Sequence, residues 1–200
     1  MDFSFVTVVS GLPRSGTSMM MAMLARGGMD ILTDRARASD PDNPGGYFEY
    51  EPVKRTEEDP SWVAGARGKA VKVIYRFVKH LPDTFEYRII MMRRQIEEIL
   101  SSQRKMLQRR GKKGAALSDA QLAQAFLRKM EDLESWIDRQ PNMIRLDATY
   151  HRILADPDAF CHDINAFLDN RLDTEFMVDA VDPGLYRNRM QQEATRSGKS

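Results

Sequence analysis

Residues 8–24 read VVSGLPRSGTSMMMAML: an apolar run, a turn bounded by two glycines, and a second run dense in methionine. The pattern predicts a strand ending near Ser10, a loop, and a helix starting near Ser15. A loop of this kind makes an anion cradle. The first N–H groups of a helix have no intrahelical partner, and the positive end of the helix dipole lies at the same place. Gly11 and Gly16 supply a permissive backbone, Pro13 stiffens the turn, and Thr17 and Ser18 bring hydroxyls to the first helical turn.

Outward from this stretch, residues 3–10 (FSFVTVVS) are nearly continuous in apolar character, as a central strand buried on both faces requires. Met19, Met20, Met21, Met23 and Leu24 make the following helix too apolar for an exposed surface, so they read as core, and Gly27-Gly28 ends it. Residues 31–54 are rich in Asp, Pro, Asn and Gly and predict a long loop. Tyr47, Phe48 and Tyr50 carry too much apolar surface for that loop to stay in water, so substrate contacts are expected there. A short helix around Trp62, a strand over 69–75, a turn at 80–83, a strand over 87–92 and a helix over 95–109 follow. Residues 111–114 break the pattern. Ser118 then caps a helix with a stripe of Leu122, Phe126, Met130, Leu133 and Ile137. A short strand over 143–146 and helices over 150–154 and 158–168 complete the pattern. Strands alternating with helices predict an α/β fold: a P-loop-containing three-layer sandwich with a central parallel sheet flanked by helices. Residues 1–189 are expected to form a single domain, with 190–200 a polar tail.

Composition narrows the setting. The 200 residues are 42% apolar and 30% charged with a net charge of +1, so no nucleic-acid partner is indicated by gross charge. The single cysteine, Cys161, excludes an intrachain disulfide framework and suits a reducing compartment. No run approaches the ~20 apolar residues of a membrane span. A cytoplasmic protein without a membrane span is the expectation.

The nucleotide-hydrolase loop is G-x-x-x-x-G-K-[ST], and residues 11–18 match it except that Thr17 stands where the lysine belongs. The cation in this loop is Arg14, placed earlier and suited to gripping a planar oxyanion with two N–H groups. The string Pro13-Arg14-Ser15-Gly16-Thr17-Ser18 resembles the 5′-phosphosulfate loop of sulfotransferases that use 3′-phosphoadenosine 5′-phosphosulfate (PAPS), most closely the PRSGTT form of tyrosylprotein sulfotransferases. That resemblance implies a short bacterial-type sulfotransferase with PAPS as co-substrate and no metal. It also implies transfer to a hydroxyl or amine on a small-molecule or peptide acceptor by in-line displacement, releasing 3′,5′-ADP.

The family's second signature is an Arg at a strand end with a Ser eight residues on, both at the 3′-phosphate. Residues 87–103 (YRIIMMRRQIEEILSSQ) resemble it in two registers, Arg93 with Ser101 or Arg94 with Ser102. The second lines up Glu98 with the family's acidic residue and is preferred. By the same resemblance Lys72 takes the place of the catalytic lysine, Tyr150 approaches the adenine or 3′-phosphate, and Arg187 stands in for the C-terminal basic loop. The family's usual histidine position is Ile74, so the base must be sought elsewhere. Asp34 is ranked first because, with Arg37 just beyond it, it stands where the tyrosylprotein enzymes keep a glutamate; Glu49 is second and His80 third.

Two other readings compete. A P-loop kinase or ATPase would use Asp147 as its Walker-B-like acid, against the missing lysine. A non-catalytic nucleotide- or nucleic-acid-binding protein would use the basic run Arg104, Lys105, Arg109, Arg110, Lys112 and Lys113.

Overall fold

The computed structural model describes residues 4–34, 46–109, 111, 117–182 and 184. Five strands, β1 (Val6–Gly11), β2 (Ile31–Leu32), β3 (Ala70–Lys72), β4 (Tyr87–Arg93) and β5 (Met143–Thr149), form one sheet in the order β2-β3-β1-β4-β5. Every pairing is parallel. All six residues of β1 are buried, as its apolar run requires of a strand covered on both faces.

The side-chain period of two divides the interior. Val6, Val8, Ile89 and Met91 enter one core, whereas Val9, Ile90 and Met92 enter the other. The register Val8↔Ile89 and Val9↔Ile90 sets residues of the same face side by side. On one face the helices are α1 (Thr17–Arg26), α4 (Tyr150–Ala155), α5 (Pro157–Phe167) and α6 (Thr174–Asp179); on the other, α2 (Ile96–Arg109) and α3 (Asp119–Ile137) pack with three 3₁₀ helices. A three-layer α/β sandwich results. Met20, Met21, Met23 and Leu24 are fully buried, so the methionine run is core. Cys161 is buried beside them, and burial, with Asp158 adding, pushes its thiol up to about 11. Ser118 caps α3 as expected. Its Oγ accepts from Gln121 N at 3.3 Å, and Gln121 Oε1 accepts from Ser118 N at 2.9 Å.

Five elements differ from the sequence expectation, one being the 3₁₀ helix Glu51–Arg55 at the end of the stretch read as loop. Residues 31–32 begin the stretch read as loop but form β2, pairing Ile31↔Ala70 and Leu32↔Val71; a two-residue strand is too short to show alternation. β3 stops at Lys72 instead of running to Tyr75: Lys72 pairs with Val9, Val73 N still donates to the Val9 carbonyl, and the chain then coils into the 3₁₀ helix Tyr75–His80. β5 runs three residues past 146, since β4 supplies partners as far as Arg93↔Thr149. Helix α6 was not anticipated, although Asp173 caps it by accepting from Phe176 N at 3.2 Å. Among the described residues no helix is long and apolar enough to cross a membrane. The tail expected at 190–200 lies outside the described residues.

Ile90 is fully buried in β4, in the core cluster that also holds residues of α1 and α5. Ile90→Ala should cost about 2–5 kcal/mol, the range for truncating a buried aliphatic side chain. Urea unfolding should show a lower midpoint with an unchanged slope.

Candidate active site

The loop after β1 lies against β4. A Cβ added to Gly11 (φ 144°) would stand 2.6 Å from the Met92 carbonyl oxygen, so only glycine permits that approach. Arg14 sits at φ 76°, a left-handed conformation uncommon outside glycine. Gly16 is the N-cap of α1, at φ 106° and ψ 11°, and no side chain caps the helix. A Cβ there would meet Tyr150 Cδ2 at 2.6 Å. Ser15 Oγ is buried and has no hydrogen-bond partner among the described residues. Pro13 is exposed at the turn, and Thr17 is 8% exposed in the first helical turn. The result is the uncapped, positive end of a helix with a guanidinium beside it.

Residues far apart in sequence meet at this loop. Arg14 Nε donates to Ser102 Oγ at 2.9 Å, across 88 positions. Arg94 Nη1 reaches the Arg14 carbonyl oxygen at 3.4 Å, and Arg94 Nε donates to Glu98 Oε2 at 2.7 Å. The Arg94 guanidinium lies 4.3 Å over the Tyr150 ring, which in turn meets the His151 ring edge-on at 6.0 Å. His151 Nε2 is 3.2 Å from Glu98 Oε1. Burial raises the Tyr150 hydroxyl above its ordinary range, a shift that Arg94 partly opposes, so the phenol keeps its proton at neutral pH. Arg93 points elsewhere, to Glu134 at 2.6 Å and Asp147 at 3.3 Å on the α3 side. Ser102 is 3% exposed and Ser101 is half-buried.

A second cluster borders the first along the carboxyl edge of the sheet. Lys72 ends β3 opposite Val9, and its Nζ donates to Ser18 Oγ at 3.2 Å and to the Tyr47 carbonyl at 3.0 Å. Because Leu32 pairs with Val71, residues 33 and 34 follow alongside the end of the strand that carries Lys72. Asp34 is exposed; its N donates to the Glu49 carbonyl at 3.3 Å, and its Oδ2 accepts from Glu51 N at 2.6 Å. Thr33 Oγ1 also donates to the Glu49 carbonyl, at 2.8 Å. Asp34 and Glu49 thus share one corner. His80 ends a two-turn 3₁₀ helix, about 12 Å of rise, and faces Glu57 at 3.9 Å. Arg37 and Arg187 lie outside the described residues.

His151 was missed in the sequence. Its signal is its place beside Tyr150, and Glu98 stands one helical turn past Arg94, where an i,i+4 pair forms. Asp147 and Arg104, on which the two competing readings draw, are paired within the fold. Asp147 accepts from Arg145 at 2.5 Å and from Arg93, and Arg104 pairs with Asp119; Arg110, Lys112 and Lys113 lie outside the described residues.

Three solved structures share this arrangement of layers. Mouse sulfotransferase SULT7A1, complexed with PAP, superposes with a TM-score of 0.54 at 16% identity over 88% of this chain and 62% of its own. The sulfotransferase domain from the curacin biosynthetic pathway gives 0.53 at 11% identity, covering 91% of this chain and 79% of that domain. The chain has the sulfotransferase fold. The sulfotransferase domain from the Synechococcus PCC 7002 olefin synthase gives 0.52 at 14% identity, with 90% and 78% covered. This chain spans about three fifths of the length of the mouse protein. At such identities the likeness is one of fold. No protein-family profile and no curated protein sequence matches the chain.

Gly16→Ala should strain a left-handed backbone and push on the Tyr150 ring. A loss of about 1–3 kcal/mol in urea unfolding is expected, with a changed tyrosine signal in near-ultraviolet circular dichroism. Unaltered stability and an unaltered signal would mean that ring and loop do not touch.

Proposed function

We propose that the chain is a PAPS-dependent sulfotransferase, moving a sulfuryl group to a hydroxyl or amine acceptor. The observation that carries this reading is the contact of Arg14 Nε with Ser102 Oγ, which joins the phosphosulfate-like loop to the second motif in one cluster. The sulfotransferase fold supports it, as does the mouse protein of that fold in complex with PAP. The residues fit such a nucleotide. Among the described residues no side chain caps the helix start, Ser15 Oγ is a buried hydroxyl without a partner, and three cations converge on the loop, with Glu98 held by one of them.

In this reading Arg14, the N–H groups at the start of α1, Thr17 and Ser18 hold the 5′-phosphosulfate, and Pro13 and Gly16 shape the loop around it. Arg94 and Ser102 hold the 3′-phosphate beside Tyr150, with Arg187 a further candidate from the C-terminal segment. Lys72 stabilises charge on the leaving phosphate. Such a transfer asks the protein for positioning and preformed charge more than for covalent chemistry. The acceptor oxygen or nitrogen bonds to sulfur as the bond from sulfur to the 5′-phosphate oxygen breaks. The acceptor proton passes to a base, for which Asp34 is the first choice by its place beside β3 and by likeness to the tyrosylprotein enzymes. Glu49 shares the same corner and is second; His80, directed to Glu57, is third. The acceptor would approach from the 46–50 side of the cleft in a cytoplasmic enzyme.

Arg14→Ala should reduce kcat by about a hundredfold or more, as loss of a preformed oxyanion donor does, with the far-ultraviolet circular dichroism unchanged. Turnover of PAPS at the unmodified rate would remove Arg14 from the site. Calorimetry should find 3′,5′-ADP bound at least about tenfold more tightly than 5′-AMP, since one charge-assisted hydrogen bond is worth that much. Arg94→Ala should erase most of that preference and Arg93→Ala little of it.

Asp34→Asn isolates the base, because the amide keeps an oxygen to accept from Glu51 N while losing the ability to take a proton. Expected is a large fall in kcat with 3′,5′-ADP affinity unchanged. Full turnover by this variant would pass the role to Glu49, tested by Glu49→Gln.

A further inference from the structure

Glu98 is a carboxylate side chain with 1% exposure that stands between two nitrogen bases. Its Oε2 accepts from Arg94 Nε at 2.7 Å, and its Oε1 lies 3.2 Å from His151 Nε2. Exposure differs sharply along this row. The Arg94 side chain is 8% exposed, whereas that of His151 is 31% exposed, so protons reach the cluster through the imidazole. Among the described residues, the charged and titratable groups around it include Arg94 from the turn after β4, Glu98 from α2, Tyr150 from the same helix as the histidine, Arg14 from the loop, and Asp182 beyond α6.

We propose that His151 is a positioning residue for Arg94, acting through Glu98. Its protonated form takes a larger share of the carboxylate's charge, and the guanidinium then grips the nucleotide 3′-phosphate more tightly. The inference rests on the reading that Arg94 holds that phosphate.

The sign follows from counting charges. Protonation of His151 adds one positive charge to the cluster beside a phosphate. Glu98 has two oxygens and one charge, so what the imidazolium draws the guanidinium loses. Both effects favour anion binding when the imidazole is protonated. Reciprocity requires the converse: a bound 3′-phosphate must favour the protonated imidazole. The phosphate's own second ionisation works against this trend, since the dianion is lost as pH falls. The informative quantity is therefore a difference between proteins, not a single profile.

The experiment compares the unmodified chain with His151→Gln, whose amide still donates to Glu98 but carries no proton equilibrium. Calorimetry measures the affinity of each for 3′,5′-ADP and for 5′-AMP at about pH 6 and about pH 8. For 3′,5′-ADP, the ratio of the two affinities should be about three- to tenfold larger in the unmodified chain than in the variant, as expected for one charge acting at close range. For 5′-AMP the two proteins should give the same ratio. The chain has three histidines, so the imidazole resonances can be assigned by substitution. The titration midpoint of His151 should move upward with saturating 3′,5′-ADP and stay in place with 5′-AMP. Both readouts must move for the inference to stand. If either fails while 3′,5′-ADP is still preferred over 5′-AMP, the role of His151 is overturned and that of Arg94 survives. Equal affinity of the unmodified chain for the two nucleotides would overturn the Arg94 reading and this one with it.

Discussion

The loop after β1 can lie flat on β4 because Gly11 has no Cβ to strike the Met92 carbonyl. That close approach sets the distances for everything built around it. It brings the Arg14 backbone beside the turn from which Arg94 projects, and it lets Ser102, two turns into α2, meet the Arg14 guanidinium. Gly16 then turns the chain into α1 with the Tyr150 ring against its bare Cα. Two glycines five positions apart thus hold β1, β4, α2 and α4 at one point. The left-handed conformation of Arg14 between them is a local cost of that geometry, offset by the burial of the surrounding sheet.

Charge at this point is concentrated by the fold. Three cationic side chains, Arg14, Lys72 and Arg94, converge on the amino end of α1, and Glu98 is held directly by one of them. Arg94 is also sandwiched against an aromatic face, which restricts its rotamers before any ligand arrives. Restriction of this kind lowers the entropy lost when a planar cation engages a phosphate. On the opposite side of the sheet edge, Arg93 and Arg145 are paired with Glu134, Asp138 and Asp147, so these arginines are taken up within the α3 and β5 side.

Much of this was legible because it is local. The β1–loop–α1 unit is one contiguous run, and its glycines, its hydroxyls and its methionine core all follow from short-range rules. The cap at Ser118 is likewise a four-residue signal. What escaped depends on pairing across the sheet. β2 exists because Ala70 and Val71 have an open side, a fact not written within five residues of that strand. The choice between Arg93 and Arg94 shows the boundary well. Alternation along β4 puts Arg93 on the face of Met91, toward α3, and the next residue on the face of Met92, toward the loop. The parity is visible in the sequence, but which face holds which helix is not. His151 was invisible for the same reason, since its meaning comes from Glu98, 53 positions away.

The two-residue strand β2 has a consequence for the local stability of the two sides of the candidate site. The segment around Asp34 is fastened to the rest of the sheet by the Ala70 N to Asp30 carbonyl bond and the short β2 ladder, and to residues 49–51 by bonds from Thr33, Asp34 and Glu51. The loop after β1, by contrast, leaves a strand paired on both sides and buried on both faces. Local unfolding free energy scales with what must be broken, so backbone amides at the β2 edge exchange with solvent hydrogen through small openings, whereas those of β1 wait for the whole domain. The side of the sheet edge that carries Asp34 is thereby the more yielding, while the side built on β1 keeps its form.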